Sequence, residues 1–341
     1  MNKNFNEILV HLKNNKYTWL ITGAAGFIGS NLVDILLSLN QKVIGLDNLS
    51  LGNKKGLDEI VNYYEKPLFR FLEGDVSCFE DCEEACSGVD FVLHQAALGS
   101  IPRSISNPIN TNNSNINGFL NIIESAKNEK VKSFVYAGSS STYGDHKDLP
   151  KIEEKIGKPL SPYSITKYVN ELYADIYSLN YGFDSVGLRY FNVFGRRQRV
   201  NGDYAAVIPK WIHKVTNNEH VEIYGDGNTS RDFCYIDNVI QANLLATFNK
   251  TKKASSEVYN IAVGDQTSLN TLYDLIVKSV KERDPSIIVK EPIYKDFRLG
   301  DIRHSQANIS KAKNFLGYTP KHKVKEGIKE TVFWYMDKIK K

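Results

Sequence analysis

Short apolar runs alternate with helix-length segments through the first half of the chain. Runs rich in Val, Ile, Leu, Phe and Tyr fall at Thr18 to Thr22, Lys42 to Asp47, Leu68 to Glu73, Phe91 to Gln95, Ser133 to Gly138 and Ser185 to Tyr190. Most end in a Gly, Asn, Asp or Ser turn and lead into a segment of helical length, the pattern of buried parallel strands joined by crossover helices. The fold this predicts is α/β: a Rossmann-type doubly wound parallel sheet with a smaller C-terminal α/β substrate domain. Ahead of the first strand, Phe5, Ile8, Leu9 and Leu12 recur at helical spacing, which predicts an amphipathic helix within residues 1–16 packed on the body. Past residue 190 the alternation fades into loops such as Gly225-Asp226-Gly227-Asn228 and short apolar pieces. The division expected is therefore 1–190 for the Rossmann domain and 191–341 for a second domain interleaved with it.

Composition narrows the class without naming it. The 341 residues are 42% hydrophobic and 24% charged, ordinary values that exclude disordered and fibrous chains. Against 39 Asp and Glu stand 43 Lys and Arg, a net charge of +4 that makes no case for a nucleic-acid partner. Lys3, Lys13 and Lys16 precede a mostly apolar run from Trp19 to Leu39, which imitates a targeting segment. Asn31, Asp34 and three glycines interrupt that run, and a membrane span needs about 20 consecutive apolar residues. Neither a signal nor a membrane partner is expected. Cys78, Cys82 and Cys86 stand at i, i+4 and i+8, with Cys234 far away and no histidine at ligand spacing. Packed or surface thiols in a reducing, cytoplasmic setting are expected, with no metal site.

The first candidate chemistry is Thr22-Gly23-Ala24-Ala25-Gly26-Phe27-Ile28-Gly29, which follows a predicted strand and opens a predicted helix. Gly23 permits the tight turn, Gly26 lets backbone approach a pyrophosphate, and Gly29 lets helix and strand pack closely. Free N–H groups at the helix start would then face the anion. The next strand ends at Asp47, whose carboxylate suits ribose hydroxyls and would repel a 2′-phosphate. NAD is thereby favoured over NADP, with Lys54 and Lys55 close enough to keep the alternative open. Two further strand ends, Asp75-Val76 and Gln95-Ala96-Ala97, fit the same cofactor path.

The second is Ser139-Ser140-Ser141 after the fifth run, followed by Tyr163-Ser164-Ile165-Thr166-Lys167 behind Ser161-Pro162, a helix-start signature. On that helix Tyr163 and Lys167 share a face, where an ammonium can lower the pKa of a phenol that is otherwise near 10. Serine supplies a hydrogen bond to the same substrate oxygen.

These residues together resemble the extended short-chain dehydrogenase/reductase family, in particular its nucleotide-sugar 4-epimerases. The similarity runs over nearly the whole chain. It is most specific in His94-Gln95-Ala96-Ala97-Leu98-Gly99-Ser100, Ser139-Ser140-Ser141-Thr142-Tyr143-Gly144-Asp145 and Arg189-Tyr190-Phe191-Asn192-Val193-Phe194-Gly195, which resemble bacterial UDP-N-acetylglucosamine (UDP-GlcNAc) 4-epimerases of surface polysaccharide synthesis. The resemblance implies Tyr163 as base and acid at the sugar 4-hydroxyl, Lys167 on the nicotinamide ribose, and Ser139 with Ser140 on the sugar oxygen. It implies cofactor contacts from Gly23, Gly26, Phe27, Ile28, Gly29, Asp47, Asn48, Ser50, Gly52, Asp75, Val76, Gln95, Ala96, Ala97, Asn115 and Phe191. A UDP-sugar would meet Gly99, Ser100, Asn192, Ala206, Val207, Trp211, Tyr224, Arg231, Arg298 and Asp301. Ser305 would stand where epimerases restricted to the plain hexose carry a bulky tyrosine, leaving room for an N-acetyl group. Gln266 departs from the arginine expected there. Helices at Pro108 to Lys127 and Pro162 to Asn180, side by side, would pair with a second copy in a four-helix bundle, making a homodimer. Rivals on the same fold are a 4,6-dehydratase, which needs an acidic pair where this chain has Ser140-Ser141-Thr142, a decarboxylase of UDP-glucuronate, and a catalytically idle nucleotide-sugar sensor.

Overall fold

In the computed structural model, residues 3–64, 66–200, 206–249, 257–297 and 302–339 are described. Six parallel strands occupy the predicted runs almost residue for residue: β1 (Thr18–Thr22), β2 (Lys42–Asp47), β3 (Phe69–Glu73), β4 (Phe91–His94), β5 (Ser133–Ser139) and β6 (Ser185–Tyr190). Short ladders follow, formed by β7 (Val193–Phe194), β8 (Glu222–Tyr224), β9 (Ser230–Arg231) and β10 (Cys234–Tyr235). Then comes β11 (Glu257–Ile261), and finally β12 (Thr267–Ser268) and β13 (Ile293–Lys295). The main sheet runs β11-β6-β5-β4-β1-β2-β3, so strand order reverses between β1 and β4. An open α/β sheet gathers ligands outside the carboxyl ends of its strands at such a reversal.

Fully or nearly fully buried β4, β5 and β6 have no polar face, as a sheet covered on both sides requires. One core lies against α1 (Phe5–Asn14), α2 (Phe27–Ser38), α3 (Lys54–Val61) and, from later in the chain, α10 (Ile236–Phe248). The other lies against α4 (Phe79–Cys86), α7 (Gly118–Asn128) and α8 (Pro162–Tyr181). The predicted N-terminal helix forms under an Asn4–Glu7 capping box and buries Ile8 and Leu12. Cys82 and Cys86 pack inside from α4, Cys234 is also buried, and all four thiols are free. No helix among the described residues is long and apolar enough to cross a membrane.

Residue 190 ends a strand, yet the chain returns to the same sheet: β11 pairs with β6 from Glu257↔Val186 to Ile261↔Tyr190. The smaller lobe draws on both sides of this return: α9 (Val207–Thr216) and β7 to β10 come before β11, while β12, β13, α11 (Leu269–Arg283), α12 (Ser310–Leu316) and α13 (Val324–Ile339) come after it. Asp232 holds that lobe together. Its carboxylate accepts the N–H groups of Val263 (3.0 Å), Gly264 (3.0 Å) and Ala307 (3.1 Å), joining three distant segments.

Burial pushes the Asp232 carboxyl up to about 6 from the ordinary 3.8, outweighing those three hydrogen bonds. The folded protein therefore binds the extra proton more readily than the unfolded chain, and this contribution to stability is present below 3.8 and lost as pH rises through 6. Urea unfolding of wild type and Asp232→Asn between pH 4 and 7 should show the wild type losing on the order of 3 kcal/mol relative to the variant, then running parallel above that range.

Candidate functional site

A cleft of about 1470 Å³ opens at the strand-order reversal. Its floor is the glycine loop. Gly23 has φ +69°, and a Cβ there would stand 2.9 Å from Ala96 N. On Gly29 a Cβ would lie 2.0 Å from Gly23 O, and on Gly26 3.1 Å from the same atom. The second and third positions both abut the Gly23 carbonyl, while the first must admit the β4 turn. Helix α2 begins with Gly26 as its cap and no side-chain acceptor, so its first N–H groups, at Phe27, Ile28 and Gly29, face the cleft those residues line. A pyrophosphate fits this cradle of bare backbone, helix N-terminus and absent Cβ atoms.

Around that floor the cleft collects Asp47, Asn48, Ser50, Gly52, Val76, Gln95, Ala96 and Ala97. Asp47 accepts the N–H of Ala25 (2.9 Å) and of Leu49 (2.8 Å), which fixes the loop after β2 to the glycine loop. Burial raises its pKa against those two bonds and the nearby Arg199 guanidinium. Asp75 lies just outside the lining; burial would raise its pKa, but bonds from Ser77 and from Asn48 (2.7 Å) win and lower it. Asn115 is also set back. It sits in a π-helical turn, Asn113–Asn117, between α6 (Pro108–Asn112) and α7, and grips Leu98 N at 2.7 Å and Thr166 Oγ1 at 3.0 Å. That turn registers the β4 loop against the helix of Tyr163. Phe191 packs wholly in the core rather than at the cleft.

At the opposite wall stand Ser139, Tyr163 and Lys167. Ser161 caps α8 by accepting the N–H of Ser164 at 3.1 Å, and Pro162 takes the first helical position, which aims Tyr163 and Lys167 back toward the end of β5. Lys167 is 3% exposed and donates to Ala137 O at 2.9 Å. Burial pulls its pKa down to about 8, with Glu171 opposing. Burial raises the Tyr163 phenol above its ordinary range, and Ser139 provides the opposing hydrogen bond. Ser140 begins the short 3-10 turn Ser140–Tyr143 beside the cleft without lining it.

Of the residues assigned to a UDP-sugar, Gly99, Ser100 and Ala206 line the cleft. Val207 starts α9 next to Ala206, and Asn192, exposed with φ +32°, follows β6. Trp211 does not reach the site: at 3% exposure it packs in the lobe's core against Tyr273. Tyr224 and Arg231 lie on β8 and β9, and Ser305 is tied through its N–H to Ser230 O at 3.1 Å. Gln266 accepts from Ser230 Oγ at 3.4 Å, on that same strand. Arg298 and Asp301 fall outside the described residues.

Sequence reasoning missed a third wall. Arg197, Gln198 and Arg199 line the cleft after β7, and Trp334, Tyr335 and Lys338 line it from α13. Arg197 clasps α2 through Asn31 Oδ1 and Asp34 Oδ2, both at 2.7 Å, and Arg199 donates to Gly52 O at 2.9 Å. Lys338 pairs with Glu59 of α3 at 2.6 Å. The basic run Arg196 to Arg199 was the available signal. Elsewhere, Asp237, His322 and Glu330 bring potential metal-ligand atoms within 4.8 Å of one another. The Arg196 guanidinium, 2.7 Å from Asp237, already supplies a positive charge there.

With the geometry in place, comparisons identify what it resembles. Residues 19–262 match the sequence model of the NAD dependent epimerase/dehydratase family. The UDP-glucose 4-epimerase of Thermotoga maritima, solved with UDP-glucose, is 36% identical with a TM-score of 0.84, covering 94% of this chain and 99% of its own. A UDP-N-acetylglucosamine 4-epimerase of Methanobrevibacter ruminantium, solved with UDP-N-acetylmuramic acid, is 36% identical with a TM-score of 0.86, covering 95% and 99%. A UDP-glucuronate 4-epimerase of Thermodesulfobacterium geofontis is 31% identical over 94% of this chain and 97% of its own.

Gly29→Ala forces a methyl group against Gly23 O, an overpacking that should weaken dinucleotide binding by about 10- to 100-fold. Titration of the variant with NADH, followed by fluorescence, measures it; unchanged affinity would remove the glycine loop from the binding site.

Proposed function

The chain belongs to the NAD dependent epimerase/dehydratase family, and on that premise we propose that it is a UDP-GlcNAc 4-epimerase, interconverting UDP-GlcNAc and UDP-N-acetylgalactosamine (UDP-GalNAc). The observation that carries the reaction class is the meeting of the glycine loop, Ser139, Tyr163 and Lys167 in one cleft. Bound NAD supplies a hydride acceptor and donor for the sugar C4, together with a positive charge. Gly23, Gly26, Gly29, Asp47 and the Gln95-Ala96-Ala97 turn would hold it.

The chain's own residues handle the proton. Burial keeps the Tyr163 phenol protonated in the ligand-free protein, so positive charge is required beside it before it can accept the proton of the sugar 4-hydroxyl. Lys167, fixed on Ala137 O, is placed to supply part of that charge. Ser139 holds the reacting oxygen, and Tyr163 returns the proton when the sugar has presented its other face. Grip on the diphosphate while the sugar turns falls to the smaller lobe.

Dehydration calls for a carboxylate near the sugar, and Ser140, Ser141 and Thr142 offer none. A protein that only senses nucleotide sugars has no need of a lysine ammonium held at 3% exposure, where desolvation works against it. Preference for the N-acetylated sugar rests on the small side chain of Ser305. UDP-glucose and UDP-glucuronate are the competing substrates.

A homodimer fits one surface. Ile101 and Ile105 on α5 (Ile101–Ser106), Ile109 on α6, and Ile165, Leu172, Ile176 and Leu179 on α8 are all exposed. The four α8 residues fall along one stripe of the helix, and isolated soluble proteins seldom leave so much contiguous apolar surface in water.

Purified protein given UDP-GlcNAc without added cofactor should form UDP-GalNAc with no accumulation of NADH absorbance. Conversion of UDP-glucose or UDP-glucuronate alone would move the substrate; conversion of none, even with NAD supplied, would end the epimerase reading. Tyr163→Phe should retain bound NAD and lose about 10²- to 10⁴-fold in turnover. Sedimentation should find a dimer, and the pair Leu172→Glu with Ile176→Glu should shift it to monomer.

A further inference from the structure

We propose that His94, which does not line the cleft, is a positioning residue for the dinucleotide: acting through Thr22, it holds the Gln95–Ala96 backbone against the glycine loop. Thr22 and His94 are the last residues of β1 and β4 and stand opposite each other in the sheet. Both are buried, at 0% and 2% exposure. Thr22 Oγ1 receives the N–H of Gln95 at 3.2 Å and of Ala96 at 3.1 Å, and lies 2.8 Å from His94 Nδ1.

Hydrogen-bond valence then settles the direction of the third contact. A hydroxyl has two acceptor sites and one proton; the Ala96 N–H takes one acceptor site and the Gln95 N–H, shared with the Thr22 carbonyl at 3.2 Å, takes the other. The proton of Thr22 must point at His94 Nδ1, so that nitrogen is an unprotonated acceptor and the ring carries its proton on Nε2. A charged imidazolium would place two protons in one contact. The surroundings enforce neutrality: Phe134 stacks on the ring at 6.2 Å, Phe119 meets it edge-on at 5.8 Å, and the Lys167 ammonium repels a second positive charge.

The consequence reaches the cleft through backbone. Ala96 N lies 2.9 Å from where a Gly23 Cβ would stand, so the turn after β4 and the glycine loop have no slack between them. Gln95 is anchored on its other side, its amide donating to Asn243 at 3.2 Å and its carbonyl accepting from Tyr190 at 3.2 Å. Without an acceptor at Nδ1, the Thr22 hydroxyl is free to rotate its proton toward the two N–H groups, and the hold on Ala96 is lost. This inference is independent of which sugar the enzyme turns over.

Two measurements test it. In ¹⁵N-labelled wild-type protein, the His94 ring should show the Nε2–H tautomer, neutral, from pH 5 to 8. In nucleotide-stripped variants, His94→Phe keeps a ring but removes the acceptor and should weaken NADH binding about tenfold, the loss of one buried hydrogen bond. Thr22→Val should do likewise, whereas His94→Asn, whose side-chain carbonyl can accept, should recover most of the affinity. Restoration by Asn separates positioning from mere packing. An Nδ1–H or charged ring in the wild type would overturn the proposal. So would a folded His94→Phe protein with unaltered NADH affinity. Should the variants fail to fold, the tautomer in the wild type decides alone.

Discussion

Backbone must touch backbone at the carboxyl end of β1, and the rest of the cleft depends on that contact. Gly23, Gly29 and Ala96 converge so closely that no side chain can stand between them. The steric demand places the start of α2 beside the β4 turn and leaves helix N–H groups pointing into open space. Asp47 then ties the loop after β2 to the same point through Ala25. Three strand ends are in this way drawn to one locus, and a phosphate-bearing ligand meets dipoles already oriented for it.

A second constraint is electrostatic and runs beneath the opposite wall. Lys167 is buried one helical turn from Glu171, and Arg189 of β6 grips Glu171 with two bonds of 2.8 and 2.7 Å. Arg189 also donates to Glu153 O at 3.0 Å and lies over the Tyr143 ring at 4.9 Å. Glu153 in turn accepts from Asn260 N of β11 at 2.8 Å. Charge therefore alternates from the cleft to the sheet edge, each buried ion having a partner of opposite sign or a hydrogen bond. Removing one member of such a buried pair costs about 3–5 kcal/mol, because its partner is left charged and unmatched.

Much of this was legible in the chain. Strands β1, β2 and β6 form over the predicted residues, since buried parallel strands read as unbroken apolar runs and the turns after them carry Gly, Asp and Ser. The glycine loop, Asp47, Ser139, Tyr163 and Lys167 were visible because each occupies a fixed offset from a strand or helix end. What escaped notice lacks such an offset. Glu257–Ile261 is short and half-exposed at its start, and nothing local says that it joins a sheet whose other strands ended at Tyr190. Trp334 and Tyr335 belong to an ordinary amphipathic pattern, and only the tertiary fold turns them toward the cleft. Trp211 and Phe191 show the converse: large aromatics near a site by sequence whose rings are drawn into the core by their apolar area.

The late arrival of β11 has a consequence for how the chain is made. As the polypeptide leaves the ribosome, β1 to β6 can assemble with their helices, but β6 remains an edge with unpaired N–H and C=O groups until Glu257–Ile261 has been synthesised. Through that interval, β6 can be sealed only by some other strand, such as a chaperone's or that of a neighbouring nascent chain. The slower the passage from Tyr190 to Glu257, the longer that edge stays open.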